Sequence, residues 1–429
     1  MLTQRNRLLE LFVQQPTRED AMKRYFTTFF FLAATLGTSV SFSQGNTSGN
    51  AVNATSYGVQ CNGSADDTAA INSALSSAGG RTILFPSGVC LYSGGGTLSD
   101  GTTIVGAGRN ATVIKATSPN STLFNVVGYG AGIRSIKFTA AVTQTGGSYV
   151  VLSGPESFID DFFMTGDYNG ILMTGNVARI RHGRFQDGAP GAIRIRAEGG
   201  DNSQLIDDVL MGAQQPQVSS AGIRVRNSSA LIISNSSVIQ QGTGLLIDPY
   251  TSTTGSATDA GSVASLWVHH CFFDNSSGSG IAINATGSGS VVRSRFDSVW
   301  ASSSGSDGVR VVNNGSGTVA GIHFNSPHFL FNAGSGITTG GAISDLSIIG
   351  GELGANAYGA YFNPGATSVR ITDARIGNGA GGGGNANAGV VISSGVDYVV
   401  LSNNDLRGNG SAILNNNPGS NQLINNNFQ

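Results

Sequence analysis

Short apolar runs separated by Gly, Ser and Asn make up most of the chain after residue 50. Segments such as "NGILMTG", "AGIRVRN", "SGIAIN" and "DGVRVVN" each place a small residue before a short strand of alternating apolar positions. The segments recur every 27 residues on average, roughly the length of one solenoid turn. The first apolar residues of ten such segments are Ile171, Ile193, Ile223, Leu245, Ile281, Val309, Ile337, Ala360, Val390 and Ile413.

This repeat predicts an all-β fold, a single-stranded right-handed parallel β-helix. A unit of two or three short strands cannot bury its apolar face alone, but stacked units share a continuous core. Propeller blades need four strands per unit, and leucine-rich repeats need fixed Leu spacing, so both fit less well. The segment lengths vary in the turns and not in the strands, and Asn pairs such as Asn403–Asn404 suit tight bends along a stack.

One helix is predicted in this β chain, within "NGSADDTAAINSALSSAGGRTILFPSGVC". Asp66, Asp67 and Thr68 are expected to cap its start, and Gly79–Gly80 to end it. Its apolar stripe consists of Ala70, Ile71, Ala74, Leu75 and Ala78. The helix is therefore expected to cover the open end of the first coil, and the Asp66–Asp67 pair to be structural.

Composition and charge narrow the class of protein. Gly is abundant (63 residues) without a Gly-X-Y period, which excludes collagen, and the regular apolar runs exclude ordinary disorder. The chain has 23 basic and 25 acidic residues, a net charge of −2, so a nucleic-acid partner is not indicated. Beyond the N-terminal apolar stretch at residues 22–43, no segment is long and apolar enough to span a membrane.

The N-terminus predicts export. Residues 1–43 are interpreted as a leader and signal peptide, with translation starting at Met1 or Met22. Residues 44–116 are then the cap and first coils, and residues 117–429 the remaining coils. We expect a secreted protein, extracellular or periplasmic. In that compartment Cys61 and Cys90 can form a disulfide, the alternative being two buried thiols, and Cys271 is expected to lie in the core.

Residues 56–116 resemble the N-terminal motif of the pectate lyase superfamily. The shared features are the "YG" opening, the "DDTAAI" helix, the "FPSG" strand end and the "GAG" coil, while Cys61 and Cys90 depart from that motif. The resemblance implies a right-handed parallel β-helix that contacts carbohydrate, in a family of polysaccharide lyases, glycoside hydrolases, epimerases and tailspikes. It implies no single reaction.

Asp307 is the first catalytic candidate. In "GSDGVRV" it precedes a repeat strand, where the related polygalacturonases place catalytic aspartates. The neighbouring repeats "GSGIAIN" and "GSGITTG" lack the Asp-Asp and Gly-His-Gly motifs of those enzymes, so a standard polygalacturonase site is not predicted. The alternative is that Asp307 is a turn residue.

Outward-facing arginines form the second candidate. Alternation along adjacent strands is expected to direct four of them outward as a substrate-binding lattice, namely Arg194, Arg196, Arg224 and Arg226. Arg310 continues one of their columns. Paired guanidinium groups suit the carboxylates of an acidic polysaccharide. The alternative is a patch neutralised by acidic neighbours, namely Glu198, Asp201 and Asp248.

A third candidate comes from stacking "FIDDFF", "RIRHGRF" and "LIDDVL" in register. This alignment places Asp161, His182 and Asp208 in one column as potential catalytic residues, beside a column of Asp160, Arg181 and Asp207. A histidine between carboxylates can act as acid or base. The alternative is that alternating charges only avoid repulsion along the solenoid.

Together these observations predict a carbohydrate-active protein that cleaves an acidic, uronate-containing polysaccharide as a lyase or a glycoside hydrolase. The alternative is a non-catalytic adhesin or surface-structural solenoid. No cofactor or metal is predicted from residue spacing; calcium, which many pectate lyases use, would require aspartates of adjacent coils to converge. The C-terminal "NQLINNNFQ" lacks an evident cap, so oligomerisation through the last coil is an expectation.

Overall fold

Parallel strands stacked coil upon coil form the structure, a computed structural model. It describes residues 51–120, 122–199, 203–212, 220–249, 261–377, 383–417 and 421–429. The predicted leader and signal peptide, residues 1–43, lie outside the described residues. The predicted fold class is confirmed: the chain is an all-β, right-handed parallel β-helix of about 13 turns, with strands pairing in parallel along its length.

One side of the solenoid is a 13-stranded sheet with one strand from each successive coil. Its strands contain the apolar positions that the repeat predicted, and nine of the ten predicted positions align in one column. The strands are Gly96–Leu98, Phe124–Val126, Val150–Leu152, Asn169–Met173, Ile193–Glu198, Ala221–Arg226, Thr243–Ile247, Ile281–Ala285, Val309–Asn313, Ser335–Gly341, Tyr358–Phe362, Ala388–Ile392 and Ile413–Asn415.

A 26-stranded sheet forms the remaining sides. Three of its strands carry the residues of the third candidate, namely Asp160, Asp161, Arg181, His182, Asp207 and Asp208. The strands are Ala51–Asn53, Asn62–Asp66, Thr82–Leu84, Gly88–Tyr92, Thr103–Val105, Thr112–Ala116, Gly132–Ala140, Phe158–Thr165, Arg179–Gln186, Leu205–Gly212, Ser228–Ser229, Ile232–Ser234, Ser237–Ile239, Ser262–Ala264, Trp267–His269, Phe272–Asp274, Ser290–Asp297, Trp300–Ser302, Val319–Asn325, His328–Leu330, Ile343–Ile349, Glu352–Gly354, Ala366–Thr372, Arg375–Ile376, Asp397–Ser402 and Gln422–Asn425.

The larger sheet bends at a corner where single residues adopt a left-handed conformation. Asp161, His182 and Asp208 have φ values of 49°, 48° and 51° there. Asp, Asn and His tolerate this conformation better than branched residues do, so the corner explains why polar residues recur at this position. Asn403 occupies the same corner later in the chain with φ 57°.

The predicted helix is present as α1, Thr68–Ser76, which follows a short 3₁₀ helix at Ala54–Tyr57. Ile71, Ala74 and Leu75 are buried, and the helix contacts Gly96–Leu98, the first strand of the 13-stranded sheet. The helix therefore covers the first coil, as predicted.

The start of α1 is held differently from the prediction. Asp66 accepts a hydrogen bond from the Thr68 amide (2.9 Å), but the buried Asp67 carboxylate does not cap the helix. It accepts bonds from the amides of Gln60 (2.7 Å) and Cys61 (3.1 Å) instead. Asp67 thus fastens the preceding turn, beside the disulfide that joins Cys61 to Cys90. In the residues described, no helix combines the length and apolar character needed to cross a bilayer.

Candidate functional site

A shallow trough of about 350 Å³ lies on the 13-stranded sheet, across the strands Val309–Asn313 and Ser335–Gly341. The register places Arg310 beside Thr338, and Val312 beside Gly340. Because Gly340 has no side chain, the floor of the trough is low. Its polar lining comes from Asp307, Arg310, Asn314, Thr338, Thr339 and Asn363.

Asp307 lies at the edge of the trough, just before its strand begins. Its Oδ1 accepts a hydrogen bond from the Ser335 amide of the next coil (2.8 Å). Burial raises the pKa of the Asp307 carboxyl above its usual value, although the Ser335 bond and the charge of Arg310 oppose the shift. A Cβ at Gly334 would lie 2.5 Å from Oδ1, so the carboxylate packs where only glycine leaves room. Asp307 is therefore a carboxyl group held in one position at the edge of the trough.

Arg310 is the exposed cation of the trough. It makes no hydrogen bond or ion pair with any residue that the structure describes. Its neighbours in the sheet, Ala282 and Thr338, carry no charge. The guanidinium group is thus available to an anionic ligand.

A ladder of buried asparagines supports the turn that leads into the trough. The Nδ2 of Asn332 donates to Oδ1 of Asn356 (3.0 Å), Asn356 donates to Asn385 (3.1 Å), and Asn385 donates to Asn409 (2.8 Å). Asn404 and Asn427 bond in the same way along the stack (3.0 Å). Because the ladder fixes the turn before Ser335, it also fixes the amide that holds Asp307.

The predicted arginine lattice is present only in part, and carboxylates neutralise the part that is present. Arg196 and Arg224 are neighbours in register, and both pair with Glu198. Arg226 pairs with Asp248 (2.6 Å). Burial would raise the pKa of the Glu198 carboxyl, but hydrogen bonds and charge from the two arginines hold it below its usual range. This supports the alternative of a neutralised patch; Asp201 lies outside the described residues.

The prediction that Arg194 points outward is wrong. Its side chain is 0 % exposed and forms an ion pair with Asp167, which is also 0 % exposed. The register explains the error: Ile195, not Ile193, aligns with Ile171 and Ile223. Arg194 therefore occupies the position that is Gly in the adjacent coils, and its side chain enters the interior, out of reach of a substrate.

The stacking predicted for the third candidate is confirmed in register, since Asp160, Arg181 and Asp207 are neighbours. The expected contact of His182 with Asp161 and Asp208 is wrong. His182 Nδ1 lies 2.6 Å from Asp160 Oδ1. Asp161 instead accepts a bond from Ser135 Oγ (2.8 Å). Asp161, His182 and Asp208 share the corner position, but the hydrogen bonds of His182 and Asp161 go to Asp160 and Ser135, so among the described residues the three do not bond to one another.

The donor set for calcium is poor. The aspartates of adjacent coils, Asp160 and Asp207, have Arg181 between them. Within the described ranges, the group of His, Cys, Asp or Glu side chains close enough to hold an ion is Cys61, Asp67 and Cys90. The disulfide occupies both sulfurs of that group. These residues do not fit calcium.

Three features escaped the sequence analysis. The trough walls at Thr338 and Asn363, and the acid Asp167, carry no local motif. The column of small residues preceding each repeat strand could have identified Arg194 as the exception, because Gly170 and Gly222 occupy the same column. Cys271 is buried as expected, and burial raises the pKa of its thiol to about 12.

Comparisons with known proteins agree with this architecture. A family model described as "Rhamnogalacturonase A/epimerase, pectate lyase-like" matches residues 51–266. No curated protein matches the sequence.

Several solved structures are similar at low identity. The A-module of the mannuronan C-5 epimerase AlgE4 from Azotobacter vinelandii has a TM-score of 0.57 and 16% identity, with 87% of this chain and 97% of that chain covered. Tailspike protein 3 of bacteriophage CBA120 has a TM-score of 0.58 and 15% identity, covering 95% and 68%. The catalytic unit of the GH87 alpha-1,3-glucanase from Streptomyces thermodiastaticus has a TM-score of 0.54 and 15% identity, covering 88% and 70%. At such identities the likeness establishes the fold alone.

Proposed function

Because the chain belongs to the rhamnogalacturonase A/epimerase, pectate lyase-like family, we propose that it binds an acidic polysaccharide along the 13-stranded sheet and cleaves it as a lyase. The observation that carries this proposal is the shared trough of Asp307, a carboxyl with a raised pKa, and Arg310, an unpaired cation. The solved neighbours support a carbohydrate substrate, since their names describe a mannuronan epimerase and a glucanase.

Arg310 binds the uronate. Its planar guanidinium can donate two parallel hydrogen bonds to one sugar carboxylate, a geometry that a lysine cannot reproduce. Pairing the carboxylate with a cation also stabilises the negative charge that develops when the adjacent C5–H bond breaks. The same residue therefore provides binding and transition-state stabilisation.

Asp307 moves the proton. Its ionised carboxylate removes the C5 proton of the bound uronate, the electron pair forms the C4–C5 double bond, and the C4–O bond breaks. The departing oxygen takes a proton from water, so the products are an unsaturated uronate and a new chain end. A raised pKa makes Asp307 a stronger base than a solvated aspartate.

Hydrolysis fits this trough less well. Glycoside hydrolysis usually requires a pair of carboxyl groups, and Asp307 is the single carboxylate among the described residues of the lining. The same observation favours a second candidate function, polysaccharide binding without cleavage, because the described lining has no second carboxyl group to protonate the leaving oxygen.

A uronate-polymer panel tests the proposal. Lyase action raises ultraviolet absorbance through the unsaturated product, whereas hydrolysis produces reducing ends without that absorbance. We expect Asp307→Asn to lower kcat by roughly 10²- to 10⁴-fold, the usual contribution of acid–base catalysis. Arg310→Gln should raise KM and also lower kcat, because Arg310 both binds the carboxylate and stabilises the developing charge. Arg370→Gln, an exposed arginine on the other sheet, is the matched control.

The outcomes separate the candidates. Since Asp307 must be ionised, the lyase rate should increase as pH rises through its raised pKa. Reducing ends without absorbance would contradict the lyase mechanism. Binding that Arg310→Gln abolishes, with no product of either kind, would establish the non-catalytic function. No binding to any acidic glycan would refute both.

We also propose that the protein is secreted. The apolar stretch at residues 22–43 supports export. The Cys61–Cys90 disulfide is consistent with an oxidising compartment. N-terminal sequencing of the mature protein should find Gln44 first; an intact Met1 or Met22 would contradict the proposal.

A further inference from the structure

A second cavity, of about 230 Å³, opens on the 26-stranded sheet, away from the trough. It lies over the strands Gly132–Ala140, Phe158–Thr165 and Arg179–Gln186. Its charged lining consists of Arg134, Arg179, Arg181, Glu156 and Asp160. Three guanidinium groups thus share a small cavity with two carboxylates.

Two of these arginines have guanidinium nitrogens to which no described residue bonds. Arg179 makes no hydrogen bond or ion pair with any described residue, and its sheet neighbours are Phe158 and Leu205. The Nε of Arg181 is buried and has no hydrogen-bond partner in the described part of the chain. An unbonded, buried guanidinium nitrogen is costly, so this position favours a ligand that accepts hydrogen bonds.

The carboxylates of the cavity are already engaged. Glu156 accepts a hydrogen bond from the Tyr129 hydroxyl (2.7 Å), and Asp160 lies 2.6 Å from His182 Nδ1. Arg134 reaches Asp160 only at 4.0 Å. The lining carries three guanidinium groups against two carboxylates, while Asp207 lies beside Arg181 in the sheet and interacts with it electrostatically.

An aromatic ring shapes the cavity. The Phe158 ring lies over Gly132, where a Cβ would come within 2.5 Å of it. The Arg134 guanidinium stacks on that ring, 4.7 Å from its centroid. Phe158 thereby fixes Arg134 on one side of the cavity while the adjacent strand supplies Arg179 and Arg181.

We infer that this cavity binds an oxyanion: the carboxylate or sulfate substituent of a glycan, or free phosphate or sulfate, which share the same acceptor chemistry. Guanidinium groups bind such anions through paired hydrogen bonds. A volume of 230 Å³ is below the ~300–1,000 Å³ typical of larger ligand pockets and suits one anionic group or one sugar ring. This site is independent of the trough and of the proposed lyase activity.

Calorimetric titration at low salt tests the inference, with inorganic phosphate, inorganic sulfate and a uronate oligosaccharide as probes. The wild-type protein and Arg310→Gln should bind at least one probe at this cavity with equal affinity. The double variant Arg179→Gln/Arg181→Gln should bind that probe at least tenfold more weakly. Arg370→Gln, an exposed arginine on the same sheet, should leave the affinity unchanged. Circular dichroism verifies that each variant is folded.

The probes distinguish the sources of the anion. A loss confined to the oligosaccharide, measured in the Arg310→Gln background, assigns the cavity to a glycan substituent, and a loss confined to phosphate or sulfate assigns it to a free ion. Equal weakening in Arg370→Gln and the double variant would reduce the effect to general surface charge and overturn the inference. Binding of no probe by the wild-type protein would overturn it too. A failed uronate lyase assay would leave it standing.

Discussion

The buried pair of Arg194 and Asp167 yields a quantitative prediction. Both side chains are 0 % exposed, and Arg194 Nε, Arg194 Nη2 and Asp167 Oδ2 have no hydrogen-bond partner among the described residues. Replacing Arg194 with Met keeps most of the volume but leaves an uncompensated acid in the core. Such a change costs about 3–5 kcal/mol.

Replacing both partners should be far less damaging. The double variant Asp167→Leu/Arg194→Met removes the unbonded polar atoms together with the charges, and apolar replacement of a buried ion pair is often neutral or stabilising by about 1–4 kcal/mol. We therefore expect Arg194→Met to be the less stable of the two variants. Urea unfolding followed by circular dichroism measures this, and hydrogen exchange at the strands Asn169–Met173 and Ile193–Glu198 localises it.

The pH dependence gives an independent test. Burial raises the pKa of Asp167 above its ordinary value of 3.8, and the charge of Arg194 opposes that shift. In Arg194→Met the positive charge that lowered the pKa of Asp167 is lost. The Asp167 carboxyl of the folded state therefore binds its proton still more tightly than the same carboxyl does in the unfolded chain. Its free energy of unfolding should then fall as pH rises from 3.8 towards the raised pKa, by at most about 1.4 kcal/mol per pH unit.

The matched double variant has no carboxyl at this position and should lack that pH dependence. Single and double variants of equal stability, or an Arg194→Met variant within about 1 kcal/mol of the wild type at neutral pH, would refute the reasoning, because it predicts a loss of about 3–5 kcal/mol.

Three further predictions concern the scaffold. Asn356→Ala removes four buried hydrogen bonds made by the Asn356 side chain. At about 1 kcal/mol for each bond, the substitution should lower the free energy of unfolding by about 4 kcal/mol. A loss of stability no larger than that caused by replacing an exposed asparagine with Ala would contradict the role of the ladder. Replacing Cys61 and Cys90 with Ser opens a link across 29 residues and should cost about 3–4 kcal/mol in the chain-entropy account; equal stability of oxidised and reduced wild-type protein would count against it. Burial would raise the pKa of Asp297, but hydrogen bonds from neighbours, including the Trp267 indole (2.8 Å), hold that pKa below its usual value. The stability that the ionised Asp297 contributes should therefore be lost only as pH falls below the usual aspartate range. Tryptophan fluorescence should change in the same pH range, and this change should be absent in Trp267→Phe.

Periodicity was enough to predict the solenoid and its cap. Apolar alternation depends on local pattern, and the anchors Ile223, Val309 and Ile337 align in the sheet as their spacing predicted. Helix α1 was equally predictable, because its apolar stripe and terminal glycines lie within one short segment. Predicting the solenoid and its cap does not require knowing which residues distant in the sequence come into contact.

Side-chain chemistry was less predictable because it depends on register and on corners. Arg194 precedes the anchor Ile195 instead of following an anchor at Ile193, so it occupies the small-residue column and its side chain lies in the core. At the left-handed corner, His182 bonds to Asp160 of the neighbouring column, although the strands stack as expected. Asp307 could be singled out from its position before a strand, but the partner that holds it, Ser335, lies 28 residues away.

The register also explains why a few arginines remain available to ligands. In a parallel stack each outward side chain has a neighbour one coil above and one below, so a charge is neutralised when a neighbour is a free acid. Arg226 lies beside Glu198 and is paired with Asp248, whereas Arg310 lies between Ala282 and Thr338. Arg181 departs from this rule, because it has an acidic neighbour on each side and still has an unbonded nitrogen.

Arg181 is flanked by two acids and still has an unbonded Nε. Asp160 bonds to His182, and Asp207 accepts bonds from Ser234 Oγ (2.6 Å) and Asn235 Nδ2 (2.9 Å). Because Asp160 and Asp207 bond to these other partners, the Arg181 guanidinium is incompletely bonded although it has a carboxylate on each side. Removing the competitors should therefore restore the pairing: in the triple variant His182→Ala/Ser234→Ala/Asn235→Ala, both acids lose these partners and can bond Arg181, and anion affinity at the cavity should fall although no arginine has changed. An affinity equal to that of the wild type would show that the bonding of Asp160 and Asp207 does not control the cavity.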